Sequence, residues 1–592
     1  MNEELEKLRG DKKLPASVMF KRAFPYFKPE LGWIILALVI VVVNVVFAAV
    51  LPLIIQDFVD YLKQDPTVIV GKGMIPIVSF AVGYLILNLG NQLFLYFESM
   101  ILQKSAQRVV YRVRMEVFEH IESMSLDQFS EMPVGSLVTR VANYTSAMSD
   151  FFTSTLVSLL RNFLSVVTVY AIMLYLSWQL SLVLAGFVVF VIIASAVFTK
   201  VSGKLFRKER AQLSDFNAYL NESLSGMKIT QLFNREEHKR EDFEKRNKAL
   251  WKTRYTLIMT FGIYRPIINL ILYLSIVVIF LYGVQVTLTA GTIVAFYLYV
   301  DRFYSPIQEM ADQFRRVQRA LTACERLFNL LDVKPTTTDL PDAKEIDHFD
   351  GKIEFKNVWF AYEGENWVLK DVSFVIDKGQ TCAFVGATGA GKTTILSLIV
   401  RNYTPQKGQI LIDDIDIATI KVESLRKAIG QMLQDVFLFS GNIRDNVTLF
   451  DERFTEDEIN QAITYVNADK FINKLDKGLD YAVVERGENF SQGQRQLLSF
   501  ARTIIHKPQI LVLDEATANI DTETEVLIQD SLDKMKSIGT MLIVAHRLST
   551  IQKADLIICL QNGAIVEGGT HQSLLKNKGY YYNLYKLQFK DE

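Results

Sequence analysis

Cysteine is scarce in this 592-residue chain: there are three, Cys324, Cys382 and Cys559, an odd number set far apart. That excludes a disulfide framework and leaves no metal-ligand spacing, so they read as ordinary residues of a reduced compartment. An excess of either charge is also missing. Sixty-four Lys and Arg stand against 65 Asp and Glu, a net charge of −1. Nucleic-acid binding asks for a strong basic surplus, so that class is excluded. A cleavable leader is not expected, because the first 30 residues are mixed in charge (MNEELEKLRGDKK) rather than a short apolar run. The most telling absence is local: no charged residue lies between Trp33 and Ile55. About 20 apolar residues suffice to cross a bilayer. The overall 22% of charged residues therefore averages over two unlike parts, and the length allows more than one domain.

Five further apolar stretches, at roughly 75–97, 155–177, 180–200, 258–282 and 290–312, bring the expected spans to six. Connections alternate between short and long. The short ones run from Gln56 to Met74, from Ser177 to Gln179 and from Gly283 to Ala290; the long ones cover roughly 100–154 and 201–256. The second long segment carries 13 Lys and Arg, whereas the short ones together hold only Lys63 and Lys72. The positive-inside rule then puts both termini and both long segments in the cytoplasm. Residues 201–222 and 232–256 lack proline and read as charged amphipathic helix. A fourth span continuing through Asn221 would exceed 40 residues, roughly 60 Å, and project well beyond a bilayer core of about 30 Å. The turns at 125–132 (SLDQFSEM) and 225–231 (SGMKITQ) are placed to meet a cytoplasmic partner domain. FKRAFPYFKPEL, ahead of span one, mixes aromatic and basic residues and reads as an element lying along the inner surface.

The expected domains are a six-span unit over 1–335, a polar linker over 336–350 and a soluble α/β unit over 351–592. In the last, the strand TCAFV runs into GATGAGKTT. Gly386, Gly391, Lys392 and Thr393 fit G-x-x-x-x-G-K-[ST], with Thr388, Gly389 and Thr394 inside the same phosphate-wrapping stretch. Glycines let backbone N–H groups approach a triphosphate, Lys392 reaches its outer phosphates, and the Thr393 hydroxyl can bind Mg²⁺. Downstream, QILVLDEAT ends a strand in Asp514 and Glu515. Two acids closing a buried strand are costly unless metal or catalysis uses them. Asp514 would support the Mg²⁺ shell and Glu515 would orient or deprotonate an attacking water.

From Tyr362 to His546 the order of motifs resembles an ATP-binding-cassette (ABC) ATPase. Tyr362 in WFAYEG matches the aromatic residue that stacks on adenine. Gln434 in QMLQDVFLFSGNIRDNV matches the Q-loop, which senses Mg²⁺ and touches the membrane domain. Asp521 in ATANID matches the D-loop, and His546 in LIVAHRLST the switch histidine that contacts the γ-phosphate. With six spans ahead of it, the chain resembles an exporter-type half-transporter, similar to bacterial multidrug ABC exporters. VVERG at 483–487 is similar to the exporter X-loop, although its first residues depart from that pattern. The resemblance implies a multi-pass protein of the cytoplasmic membrane with its ATPase domain in the cytoplasm, using ATP and Mg²⁺.

One letter departs from the family. The signature LSGGQ, which binds the γ-phosphate held by the other subunit through a helix N-terminus, is here FSQGQ: Phe490, Ser491, Gln492, Gly493 and Gln494. Gln492 places a side chain where backbone must approach phosphate and removes glycine's tolerance for positive φ. The site built with this signature should bind ATP but turn it over poorly. Yet Lys392, Glu515, Gln434 and His546 match the competent pattern. The resemblance then implies the catalytically competent half of a heterodimer, whose different partner half-transporter brings a good signature and lacks the catalytic glutamate. A homodimer with tolerated drift at Gln492 is the alternative.

The resemblance also implies that spans five and six line the substrate path. Asp301 in LYVDRFYSP lies about 10 residues, roughly 15 Å, from the outer end of span six, near the midplane. It can attract cationic drugs or form an interhelical polar contact, and the sequence leaves both open. Arg302 points elsewhere on the helix, and Arg265 can snorkel to the inner interface. Tyr264, Tyr273, Phe296, Tyr297, Tyr299, Phe303 and Tyr304 could bind flat amphipathic compounds. Export of amphipathic or lipophilic compounds is the reading preferred, with a homodimeric lipid flippase next. A peptide exporter with an added peptidase domain, an ATP-gated channel and a regulatory receptor find no matching insert, and a soluble DNA-repair ABC protein is excluded by the spans.

Overall fold

The computed structural model describes residues 14–63, 75–130, 132–285, 288–514, 522–544 and 548–588. They divide into two units, one of residues 1–122 and 132–333, the other of 123–131 and 334–592. The first unit is all helix. A short helix, Ala16–Phe27, precedes six long ones: Leu31–Leu62, Ile75–Ser123, Val134–Leu176, Trp178–Ser225, Glu236–Gln285 and Ala290–Leu331. The first five contain stretches long and apolar enough to cross a membrane. The sixth is equally long but carries Asp301, Arg302 and Glu309 in its body. At 48 and 50 residues, the fourth and fifth helices span about 72 and 75 Å at 1.5 Å per residue. Their arms run together through Phe198 stacked on Tyr264 at 4.0 Å and through Arg254 bonded to Glu209 at 3.0 Å. The short leading helix buries Met19, Ala23 and Phe27 and exposes Val18, Phe20 and Phe24. Its Arg22 holds Asp332 with two hydrogen bonds, of 2.7 and 2.8 Å.

One sequence expectation about spans five and six needs correction, and one open choice is narrowed. Phe296, Tyr299, Phe303 and Tyr304 are buried in the helix bundle, and Tyr264 is bonded to Ser195 at 2.8 Å. Of the seven aromatics considered for ligand binding, Tyr273 and Tyr297 alone are exposed. The helices meet on aromatic faces because rings supply the largest contact area per residue. Asp301 forms no interhelical hydrogen bond or ion pair among the described residues; it is exposed.

In the second unit, β1 (Ile353–Ala361), β2 (Trp367–Ile376), β4 (Lys407–Ile412) and β5 (Ile415–Asp416) form an antiparallel sheet in the order β2-β1-β4-β5. The main sheet combines β3 (Thr381–Gly386), β6 (Ile429–Met432), β9 (Ile510–Asp514), β10 (Thr540–Val544), β11 (Leu556–Gln561) and β12 (Ala564–Gly569) in the order β12-β11-β3-β10-β9-β6. Its strands are parallel except the β11–β12 pair. A central parallel strand is buried on both faces and so reads as a continuous apolar run. TCAFV does this: Cys382 and Phe384 enter one core, Ala383 and Val385 the other. The three cysteines are free and buried. A short pair, β7 (Gly441–Asn442) with β8 (Ala482–Val483), ties the segment after Gln434 to the VVERG stretch.

The turn at 123–131 belongs to the ATPase unit and is bonded to the linker. Gln128 donates to the Lys334 carbonyl at 2.7 Å, Thr336 donates to Asp127 at 2.8 Å, and the Thr337 N–H donates to Ser125 Oγ at 2.8 Å. The turn after the fourth helix is different. Its short helix, Met227–Leu232, leaves Ile229, Leu232 and Phe233 64%, 69% and 72% exposed.

Candidate active site

Strand register brings the Gly386–Thr394 stretch, Asp514 and the Gln434 segment to the carboxyl end of the main sheet, whereas Tyr362 follows a strand of the other sheet and the signature residues open a separate helix. Val544 at the end of β10 lies beside Phe384 of β3 and Asp514 of β9, and Met432 at the end of β6 lies beside Leu513. The Gly386–Thr394 loop, Asp514 and the Gln434 segment therefore leave the carboxyl ends of neighbouring parallel strands, where open α/β sheets bind their ligands. Glu515, Asp521 and His546 lie outside the described residues.

The loop after β3 fits a triphosphate because its glycines cannot be replaced. Gly391 caps the helix Lys392–Ile399 at φ +101°, and a Cβ there would sit 2.6 Å from Leu369 Cδ2. A Cβ on Gly386 would meet the Leu560 carbonyl at 2.3 Å. Thr388 and Gly389 are exposed at the loop's tip. Lys392 is buried, with its ammonium donating to the carbonyls of Gly386 at 2.7 Å and Ala387 at 3.1 Å. Burial pulls its pKa below the ordinary lysine value, and Asp514 opposes that shift. The ammonium is thus held inside the loop, in reach of a phosphate entering it. Thr393 is exposed beside it, whereas Thr394 is buried and bonded to the Tyr362 hydroxyl at 3.0 Å.

Tyr362 follows β1 directly. Its ring stands edge-to-face against Phe360 at 4.9 Å and Tyr403 at 5.2 Å, while about half of the residue stays exposed. The ring is therefore fixed yet open, as a platform for a flat base must be.

The signature stretch opens the helix Gln492–Ile505. Ser491 caps it: Ser491 Oγ accepts from the Gln494 N–H at 3.2 Å, and Gln494 Oε1 accepts from the Ser491 N–H at 3.0 Å. This capping box uses the Gln494 side chain and leaves the N–H groups of Gln492 and Gly493 for an anion. Gly493 is buried and Gln492 exposed. The expectation that Gln492 occupies a positive-φ position is overturned, since its backbone is that of the first helical residue. A helix start needs no left-handed residue, so this glutamine causes no backbone strain. What it adds is an exposed side chain at the helix's N-terminal end.

These elements match known proteins over most of the chain. A family model described as "ABC transporter transmembrane region" matches residues 32–307, and one described as "ABC transporter" matches residues 369–518. The Bacillus subtilis protein named "Probable multidrug resistance ABC transporter ATP-binding/permease protein YheH" is 37% identical over 524 residues, covering 87% of this chain and 77% of that protein. The chain belongs to the ABC transporter family. The ATP-dependent lipid A-core flippase of Syntrophus aciditrophicus is 32% identical over 501 residues, 84% of this chain and 83% of that one. A solved structure of a bacterial Atm1-family ABC exporter with ATP bound superposes with a TM-score of 0.75 at 25% identity, covering 95% of this chain and 98% of that chain. This is therefore an ATP-hydrolysing ABC exporter whose ATPase domain binds ATP.

Two residues of the ABC exporter's nucleotide unit escaped the sequence reading. Arg502, on the signature helix, donates to the Asn446 carbonyl at 2.8 Å, to Asn446 Oδ1 at 3.1 Å and to the Phe437 carbonyl at 3.0 Å. It thereby fastens the segment after Gln434 to the signature helix; a cation in the apolar run SFARTII was the available signal. Gln406 grips both backbone groups of Ala361, at 3.0 and 2.7 Å, and so fixes the strand end that carries Tyr362. Nothing in its local sequence marks it out. Gln434 itself is exposed beyond β6.

Proposed function

We propose that this exporter moves amphipathic drugs or other lipophilic compounds out across the cytoplasmic membrane, as the catalytically competent half of a heterodimer. The observation that carries the pairing is Gln492. An exposed side chain stands at the phosphate-facing helix start, while Lys392, Thr393 and Asp514 converge on one sheet edge as a working site requires. In this reading Thr393, Asp514 and Gln434 hold Mg²⁺, which would offset charge on the phosphates. Tyr362 packs on adenine, Asp521 belongs to the ATP site as the D-loop aspartate, and His546 contacts the γ-phosphate. Glu515 takes a proton from water as its oxygen bonds the γ-phosphorus and the bond to ADP breaks. Closure and reopening of the paired ATPase domains would drive alternating access.

Exposed apolar surface supports a second chain. Ile229, Leu232 and Phe233 are uncovered at the tip of one unit, and Leu433, Phe437, Phe439 and Phe450 are uncovered on the other. Apolar clusters of this kind mark protein contacts, and each suits its counterpart on a partner half-transporter. A homodimeric lipid flippase is the second reading. It is favoured by the unstrained backbone of Gln492, which two copies could both tolerate, and by the likeness to a flippase.

Purification alone and with candidate partner half-transporters, then ATPase assay in lipid, tests the pairing. Turnover should appear only with a partner, and Glu515→Gln should cut it by about a hundredfold or more. Robust, drug-stimulated turnover by the chain alone would replace the heterodimer with a homodimer.

A further inference from the structure

Tyr362 is the first residue past the end of β1, and that end is held differently on its two sides. On one side β2 pairs with the strand to its last residue, Ala361 against Trp367. On the other, pairing with β4 stops at Trp359 against Lys407, where β4 begins. Pro405 lies just upstream and has no N–H with which to continue the ladder. Ala361 is buried, so its backbone groups need partners there.

The side chain of Gln406 supplies them. Its Oε1 accepts from the Ala361 N–H at 3.0 Å, and its Nε2 donates to the Ala361 carbonyl at 2.7 Å. The Gln406 backbone N–H donates to the Trp359 carbonyl at 3.1 Å. A side-chain amide carries the same donor and acceptor as a peptide group, so it can stand in for one. One glutamine thus extends the sheet by a step that the backbone of β4 does not make. Beside it, the Lys407 ammonium stands over Trp359 at 5.6 Å and over Trp367 at 5.3 Å, which joins β1 and β2 at the base of the turn between them.

Two further contacts hold the Tyr362 ring itself. Tyr403, three residues before Gln406, stands edge-to-face against it at 5.2 Å, and buried Thr394 is bonded to its hydroxyl at 3.0 Å. A ring fixed in advance does not have to be ordered when a flat base arrives, and affinity rises accordingly. The strand end beneath the ring depends on Gln406.

We infer that Gln406 is a positioning residue for ATP, which sets nucleotide affinity by holding Tyr362 where adenine stacks. Its amide is committed to Ala361, so it acts through the ring rather than on the nucleotide. The inference rests on Tyr362 packing against adenine and names the group outside the ATP site that governs that contact. Gln406 is exposed, so replacing it empties no core.

Steady-state ATPase assay of the assembled exporter, alone or paired as its activity requires, gives the KM for ATP and kcat. Tyr362→Ala should raise KM about tenfold or more, the worth of one stacked base. Gln406→Ala should raise it about fivefold, through the loss of two hydrogen bonds at the strand end, with kcat within about twofold of wild type. In the Tyr362→Ala background, Gln406→Ala should add less than about twofold, since no ring remains to be placed. An unchanged KM in Gln406→Ala, with Tyr362→Ala still raising it, would overturn the positioning role and leave the platform standing. So would an equally large effect of Gln406→Ala without the ring, or a fall in kcat in place of a rise in KM, because either puts the action of Gln406 elsewhere in the fold. If Tyr362→Ala itself leaves KM unchanged, the platform falls and the role of Gln406 with it.

Discussion

Two helices of the ATPase unit begin where phosphate is expected, and they begin differently. The helix Lys392–Ile399 starts on Gly391 at φ +101° with no side-chain cap, and a Cβ on that glycine would strike Leu369. The helix Gln492–Ile505 starts on Ser491, whose hydroxyl and backbone are both engaged by Gln494. The first start keeps its donors open and places a buried ammonium beside them. The second satisfies part of its own end and offers the remaining N–H groups outward. The contrast explains why substitution is intolerable in one and merely consequential in the other. At the first, packing and φ leave no room for a side chain; at the second, Gln492 is exposed on an ordinary helical backbone.

Removing the buried ammonium should break the contrast most severely. Lys392→Ala deletes the charge from the loop and empties its bonds to Gly386 and Ala387. ATPase turnover of the assembled exporter should fall by about a hundredfold or more, the scale of losing a transition-state charge contact. Steady-state phosphate release is the measurement. Turnover within about twofold of wild type would mean that the first start does not depend on its lysine.

The next effect distinguishes the two ways of pairing. If the side chain of Gln492 obstructs phosphate, Gln492→Gly should raise turnover of this chain alone about tenfold, or about 1.4 kcal/mol of barrier. The same change in a heterodimer should alter turnover by about twofold or less, because this signature would face the partner's non-catalytic site. No change in either preparation would show that the second start accommodates the glutamine.

Most of the nucleotide site was legible in the sequence because its chemistry is local. Gly386 to Thr394 is one continuous stretch of sequence, and the strands ending in Gly386 and Asp514 announce themselves as buried apolar runs. The first five long helices were equally visible, since a membrane-length apolar stretch is a property of composition; the sixth, with Asp301, Arg302 and Glu309 in its body, is marked less plainly. The conformation of Gln492 was not legible, because a turn residue and the first residue of a helix differ by one position, and only the cap formed by Ser491 and Gln494 decides between them. Asp301 drew notice as an acid in a span, but its exposure was not legible, because which face of an apolar helix is covered depends on its neighbours rather than on its own periodicity. Arg502 and Gln406 were unreadable for a similar reason: their bonds reach 56 and 45 residues along the chain.

The smallest effect bears on what Gln494 does. Its side chain is committed to the Ser491 N–H at 3.0 Å, so it serves the helix start rather than reaching across to a nucleotide. Gln494→Ala should then cost about 1 kcal/mol of stability, the usual worth of a capping interaction. In an ATPase unit of this size, that shifts the melting temperature by roughly 2–4 °C. Turnover below the transition should change little, because the Gln492 and Gly493 N–H groups remain in place. Thermal unfolding and ATPase assay of the same preparation separate the outcomes. A large loss of turnover with no shift in melting would mean that Gln494 leaves the cap when the two chains close. The second start would then resemble the first, holding phosphate with a side chain as well as with its backbone.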